Sequence, residues 1–156
     1  MTDRNLFSDG VETIVDGASR VTLVHDAIGA DDEARLLTAL IDTVAWRQDH
    51  LIIHGSRHPL PRLQAWMGDP GTTYTYSGLR LDPDPWSPPV LELRTVASDA
   101  AGCEFNSVLL NRYRSGRDAL AWHADDEPEL GPEPTIASVS LGATRRFRLR
   151  RRDDHA

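Results

Sequence analysis

FNSVLLNRYRSGRDALAWHADDEPELGPEPTIASVSLGATRRFRLR, residues 105–150, decides how the chain is read. Its opening run, 105–113, is rich in apolar residues and is broken by Ser115-Gly116, which predicts a strand. Residues 119–123 predict a short second strand. Residues 136–141 alternate apolar with small polar side chains and 146–150 alternate arginine with apolar ones, predicting two more. Working outward, Leu36, Leu37, Leu40, Ile41 and Val44 recur at helical spacing behind Asp31-Asp32-Glu33, acids that suit the positive end of a helix. Ser87-Pro88-Pro89 offers an N-cap followed by proline at the first helical position, and Val90, Leu91, Leu93, Val96 and Ala97 carry a second helix towards Gly102. Residues 20–25 predict a strand, 54–89 loops and short strands, and 1–19 a loosely ordered polar lead-in. Helices followed by several short strands point to the α+β class, built on an antiparallel sheet or sandwich.

A chain of 156 residues has room for one domain with a sizeable core. No apolar run approaches the ~18 residues of a membrane span, and no basic segment followed by an apolar one marks a secretory signal. The expected location is therefore intracellular, in the cytoplasm. The single cysteine, Cys103, excludes a disulfide framework within the chain and a Cys-rich zinc site. A formal net charge of −7 argues against a protein that coats nucleic acid non-specifically. The charge is uneven, however. Residues 1–44 hold nine acids against three arginines, whereas 45–156 hold fifteen against fourteen. All seventeen basic residues are arginine, whose planar fork suits phosphate.

His123 and Asp125 stand two positions apart, and on a strand such positions share a face. An imidazole and a carboxylate can there converge on one metal ion; two histidines and a carboxylate with open positions form the non-haem Fe(II) oxygenase arrangement. The same triplet also occurs as an ordinary surface pair, and spacing does not separate the two. Asn111 and Tyr113 likewise share a face, where an amide and a phenol either hydrogen-bond a small carboxylate ligand or pair across a solvated sheet. Asp126, Glu127, Glu129 and Glu133 read as a solvated loop, or as acceptors for a base amino group or a cation. Tyr74 and Tyr76 present two phenols on one wall, a stacking surface for a flat ring or plain core packing. The six arginines within 145–152 form a phosphate-binding face or a solvated strand around Phe147 and Leu149. No G-x-S-x-G nucleophile and no P-loop is present.

Taken together, these segments resemble the AlkB family of Fe(II)- and 2-oxoglutarate-dependent nucleic-acid dioxygenases, especially its DNA-repair members. Residues 105–150 carry the core of the resemblance and PRLQAWMGDPGTTYTYSG, at 61–78, a second block; the likeness runs from about residue 20 to 152. It implies a double-stranded β-helix, a jelly roll flanked by N-terminal helices, within residues 20–156. By that likeness His123 and Asp125 ligate iron, and Asn111 and Tyr113 contact 2-oxoglutarate. Asp126 and Glu127 approach the damaged base, whose pocket wall includes Tyr74, Tyr76 and Ser77. Ile53 and His54 fall in the finger that fills the space left by a flipped base. His54 and Met67 depart from the larger apolar and aromatic residues the family carries there. The implied cofactor and co-substrates are Fe(II), 2-oxoglutarate and O2, and the implied substrate is N-alkylated DNA, with RNA open. Hydroxylation of an N-methyl carbon, with release of succinate and CO2, lets the adduct lose formaldehyde and restores the base. Family members continue into strands bearing a distal histidine and arginines that clamp 2-oxoglutarate; this chain stops at Ala156, and His155 comes too soon to be that histidine. The expectation is a jelly roll lacking its last strands. Two functional readings follow from it, a DNA-dealkylating dioxygenase and an inactive remnant that binds nucleic acid weakly.

Overall fold

The computed structural model describes residues 10–15, 17, 19–76, 79–125 and 128–150. In chain order its elements are β1 (Val11–Val15), β2 (Val21–Val24), α1 (Ala30–Thr43), β3 (His50–Ile53), β4 (Ser56–Pro59), β5 (Leu63–Gly68), β6 (Tyr74–Tyr76), β7 (Leu79–Leu81), α2 (Pro88–Ala101) and β8 (Ser107–Arg112), followed by a 3-10 turn at Pro128–Leu130. The strands pair two by two, all antiparallel: β1 with β2, β3 with β4, β5 with β8, β6 with β7. The expected class, α+β on antiparallel strands, is the one observed.

Both helices form where local chemistry asks for them. Asp31, Asp32 and Glu33 lie in the first turn of α1, against the positive end of its dipole, and Leu36 and Leu40 are buried along one stripe. In α2 proline occupies the first turn, Val90 and Leu93 are buried one turn apart, and Gly102 ends the helix at φ 68° while its N–H reaches Ser98 O. Ser87 does not cap through its side chain; its carbonyl accepts from Val90 and Leu91, and its Oγ is buried with no hydrogen-bond partner among the described residues. The two helices are cross-tied by Arg35, which grips Glu92 at 2.6 Å and Asp32 at 2.9 Å.

The core lies between these helices and one face of β5–β8. Leu36, Leu40 and Val44 from the α1 side, Val90 and Leu93 from α2, and Ala65 and Met67 from β5 form one buried cluster, with Val108 and Leu110 of β8 packed against it. The ladder explains which residues take part. Ala65 pairs with Leu110 and Met67 with Val108, so these four share the helix-facing side. Burying each large apolar side chain contributes about 1.5–3 kcal/mol. The opposite side of the same ladder carries Gln64, Trp66, Leu109 and Asn111. The sheet thus turns one face to the helices, while the other carries buried Gln64 and Trp66 beside exposed Asn111.

Three expectations are corrected. Residues 119–123, 136–141 and 146–150 run without strand structure. Alternation alone does not make a strand, which exists only as a member of a hydrogen-bonded ladder; among the described residues no neighbour pairs with these segments. Ile136, Val139, Phe147 and Leu149 are accordingly exposed. In the opposite direction, Val11–Val15, inside the stretch read as a loose lead-in, is strand, because Val11 and Glu12 find register with Val24 and Leu23. No helix among the described residues is long and apolar enough to cross a membrane.

Candidate active site

β8 positions the first pair of predicted site residues. Asn111 faces away from the helices, directly opposite Gln64 of β5. Gln64 is buried and fully engaged, donating to Asp49 Oδ2 at 2.7 Å and accepting from Arg62 Nε at 3.3 Å. The Asn111 amide is exposed and has no hydrogen-bond partner among the described residues. Tyr113, one residue beyond the strand, is half-buried, and its hydroxyl is equally unpartnered there. An amide and a phenol two positions apart are left with their hydrogen-bonding capacity unspent.

The chain then turns through a locked loop. Arg114 binds Asp118 three times: from its backbone N–H at 2.9 Å, from Nε at 2.8 Å and from Nη2 at 3.1 Å. Asp118 is buried, and the Arg114 side-chain bonds, then the backbone N–H, hold its carboxyl below its ordinary value, at about 2. Arg145 closes the loop from a distant part of the chain. Its guanidinium lies 4.4 Å over the Tyr113 ring, and it donates to Ser115 O at 3.2 Å and to Asp118 O.

From that loop the chain reaches His123 and Asp125. They are not on a strand, yet their side chains converge: His123 Nε2 lies 3.6 Å from Asp125 Oδ1, both half-exposed. His123 Nδ1 is 2.9 Å from Ala121 O. A carbonyl only accepts, so Nδ1 is the nitrogen that donates there, and Nε2 is the one turned towards Asp125. This is the orientation a metal-ligating histidine takes when a backbone carbonyl holds its other nitrogen. Two donors 3.6 Å apart can both touch one divalent ion with bonds of about 2.0–2.2 Å. Nitrogen and carboxylate oxygen suit iron. No group of three or more His, Cys, Asp or Glu gathers around one point among the described residues, so this pair supplies two donors and not a closed shell.

The other predicted residues are elsewhere. Tyr74 and Tyr76 lie on β6, in register with Leu81 and Leu79, which puts positions 74 and 76 on one face of that hairpin. Ile53 ends β3 opposite Ser56, and His54 with Gly55 makes the two-residue turn to β4. Both turn residues have positive φ, 49° and 79°, as a type I′ hairpin demands. Ser77, Asp126 and Glu127 lie outside the described residues. Among the described residues no hydrogen bond or ion pair joins Asn111 or Tyr113 to His123 or Asp125.

Sequence reading missed side chains in three places. Arg145 belonged to a run read by its composition, and nothing local announced a contact with Tyr113. Arg148 and Arg150, in the same run, stack on the Trp122 ring at 4.8 and 4.3 Å, next to His123. Ile52 is the third: it is 79% exposed on the hairpin beside the turn, and on the same face as Arg57.

Comparison with known proteins gives these positions a context. Residues 20–156 match the 2OG-Fe(II) oxygenase superfamily. The chain is 40% identical over 137 residues to alpha-ketoglutarate-dependent dioxygenase alkB homolog 3 of Rattus norvegicus, covering 87% of this chain and 46% of that protein. The Homo sapiens counterpart is 39% identical over 137 residues, 87% and 47% respectively. DNA oxidative demethylase ALKBH2 of Homo sapiens is 50% identical over 101 residues, 65% of this chain and 39% of that protein. The chain thus spans about half or less of the length of these curated relatives.

Proposed function

Because the chain belongs to the 2OG-Fe(II) oxygenase superfamily, a jelly-roll family that works with Fe(II), 2-oxoglutarate and O2, we propose that it takes part in oxidative removal of N-methyl lesions from DNA. Residues 20–156 are the dioxygenase portion. The observation that carries this reading is the His123–Asp125 pair, with Nε2 3.6 Å from the Asp125 carboxylate and Nδ1 held by the Ala121 carbonyl. The similarity to proteins named as a DNA oxidative demethylase and as an alpha-ketoglutarate-dependent dioxygenase supports the same reading.

Each residue has a role its chemistry allows. His123 Nε2 and Asp125 Oδ1 hold Fe(II), which with 2-oxoglutarate and O2 supplies the oxidant for an unactivated N-methyl carbon. The Ala121 carbonyl fixes the His123 tautomer and the ring's direction. The Asn111 amide donates to a carboxylate oxygen of 2-oxoglutarate, and the Tyr113 hydroxyl donates to another; both groups are otherwise unpaired among the described residues. The target methyl sits on the pairing edge of a base and is buried in a duplex, so the base must leave the stack. The β3–β4 hairpin is the element that enters the vacated space. Its turn bears His54, Ile53 ends the strand before it, and Ile52 offers an exposed apolar surface. Tyr74, Tyr76 and Ser77 wall the base pocket, and Asp126 and Glu127 read the base edge.

The test is turnover. Anaerobically loaded with Fe(II), then given O2, 2-oxoglutarate, ascorbate and N-methylated DNA, the chain is expected to form succinate and formaldehyde in equal amounts, and His123→Ala to form neither. Methylated RNA serves as the parallel substrate. A folded chain that binds methylated DNA weakly and forms no succinate establishes the non-catalytic reading instead.

A further inference from the structure

Arg145 stands 32 residues after Tyr113 in sequence, yet its planar guanidinium covers the Tyr113 ring at 4.4 Å. Each of its two terminal nitrogens donates to a carbonyl, Nη1 to Ser115 O at 3.2 Å and Nη2 to Asp118 O. Those carbonyls belong to the loop that Arg114 and Asp118 lock from within. Arg145 itself is held on the far side. Gly142, at φ 83°, donates its N–H to Glu33 Oε1 at 2.8 Å, and Leu141 packs on the core beside α1. Core, arginine, loop and tyrosine therefore form one continuous chain of contacts.

We propose that Arg145 is a positioning residue: it fixes the Tyr113 phenol for binding of the 2-oxoglutarate carboxylate. This rests on the reading of Tyr113 as a 2-oxoglutarate contact. The physical case has two parts. A tyrosine just past a strand end has freedom about two side-chain torsions, and a phenol that wanders forfeits part of its hydrogen bond to entropy. A guanidinium on one ring face, itself fixed by two carbonyls, removes that freedom before the ligand arrives. Lysine is a poor substitute, because an ammonium neither stacks flat nor spans two carbonyls with a rigid fork. With its plane laid on the phenol ring and its two terminal nitrogens tied to the loop carbonyls, Arg145 acts on the ligand through Tyr113.

The experiment is a double-mutant cycle on 2-oxoglutarate affinity, read by calorimetry on the Fe(II)-loaded chain without oxygen. Arg145→Ala is expected to weaken binding about 5- to 10-fold, Tyr113→Phe by a similar factor, and the double variant no more than the worse single one. Arg145→Lys falls between wild type and Arg145→Ala. With saturating 2-oxoglutarate the kcat of Arg145→Ala stays near wild type while KM for 2-oxoglutarate rises, a split that general destabilisation does not produce. Unfolding midpoints accompany each variant; if Arg145→Ala does not fold, the Arg145→Lys arm of the cycle carries the comparison. An unchanged affinity in the folded Arg145 variant beside a weakened Tyr113→Phe overturns the proposal and leaves the reading of Tyr113 standing. Losses that multiply in the double variant overturn it too, since Arg145 then acts independently of the phenol. An unchanged Tyr113→Phe overturns the reading of Tyr113, and the proposal falls with it.

Discussion

Ile52→Ala separates the hairpin's role in binding from any role in folding. At 79% exposure Ile52 realises little of its hydrophobic burial in the free chain. Full burial of such a side chain is worth about 1.5–3 kcal/mol, so about four-fifths of that, roughly 1.2–2.4 kcal/mol, is available to a partner surface. Alanine keeps about a third of it. The substitution therefore costs about 0.8–1.6 kcal/mol of binding, or roughly 4- to 15-fold, if the side chain inserts between base steps. Stability should change by no more than about 0.5 kcal/mol, as for exposed positions generally. The assay is fluorescence anisotropy at fixed salt, with a duplex and a single strand carrying the same N-methylated base, beside chemical denaturation of both proteins. Only the duplex has a stack to fill, so only duplex affinity should fall. Unchanged duplex affinity, or an equal loss on the single strand, refutes the wedge.

Three further outcomes follow from the fold and the loop. Leu36 is 3% exposed at the centre of the helix–sheet core, so Leu36→Ala should cost about 2–5 kcal/mol in denaturant unfolding. Gly68 has no room for a side chain: an added Cβ would stand 2.8 Å from Asn106 O and 3.0 Å from Ser107 Cβ. Gly68→Ala should lower the thermal midpoint, at a cost of about 1–3 kcal/mol, by forcing β5 from β8. The Asp118 carboxyl, held at about 2 in the fold, is ionised there while its unfolded counterpart protonates near its ordinary value of 3.8. Its contribution is therefore full above about pH 4 and is lost as pH falls through about 2. Denaturation at pH 6 and at pH 2.5 should show Asp118→Asn well below wild type at the first, with the gap clearly narrowed at the second.

The two helices and β8 were legible because their causes are local. Acids ahead of a Leu36/Leu40/Val44 stripe, proline ahead of Val90 and Leu93, and glycine at 102 are signals within a turn or two of their effect. The β3–β4 hairpin escaped because one of its two left-handed positions is His54, not the Asn or Asp that would announce such a turn before glycine. Residues 119–123, 136–141 and 146–150 were over-read for the opposite reason: period-two alternation says which face a strand would bury, not whether a neighbour is there to pair with it. The site divides in the same way. His123 and Asp125 were named by spacing and converge, though in an irregular segment and through the Ala121 carbonyl. Arg145 on Tyr113 and the two arginines on Trp122 join residues about 26 to 32 apart, and no local window holds both partners.

One ferrous ion is expected to bind between His123 and Asp125 with 2-oxoglutarate beside it. Anaerobic titration of the chain with Fe(II) in the presence of 2-oxoglutarate tests it through the visible charge-transfer absorption of the iron–keto-acid chelate. The wild-type chain should develop that absorption at one equivalent of iron, and folded His123→Ala and Asp125→Ala variants should not. A band of full strength in both variants places the metal elsewhere and contradicts the account.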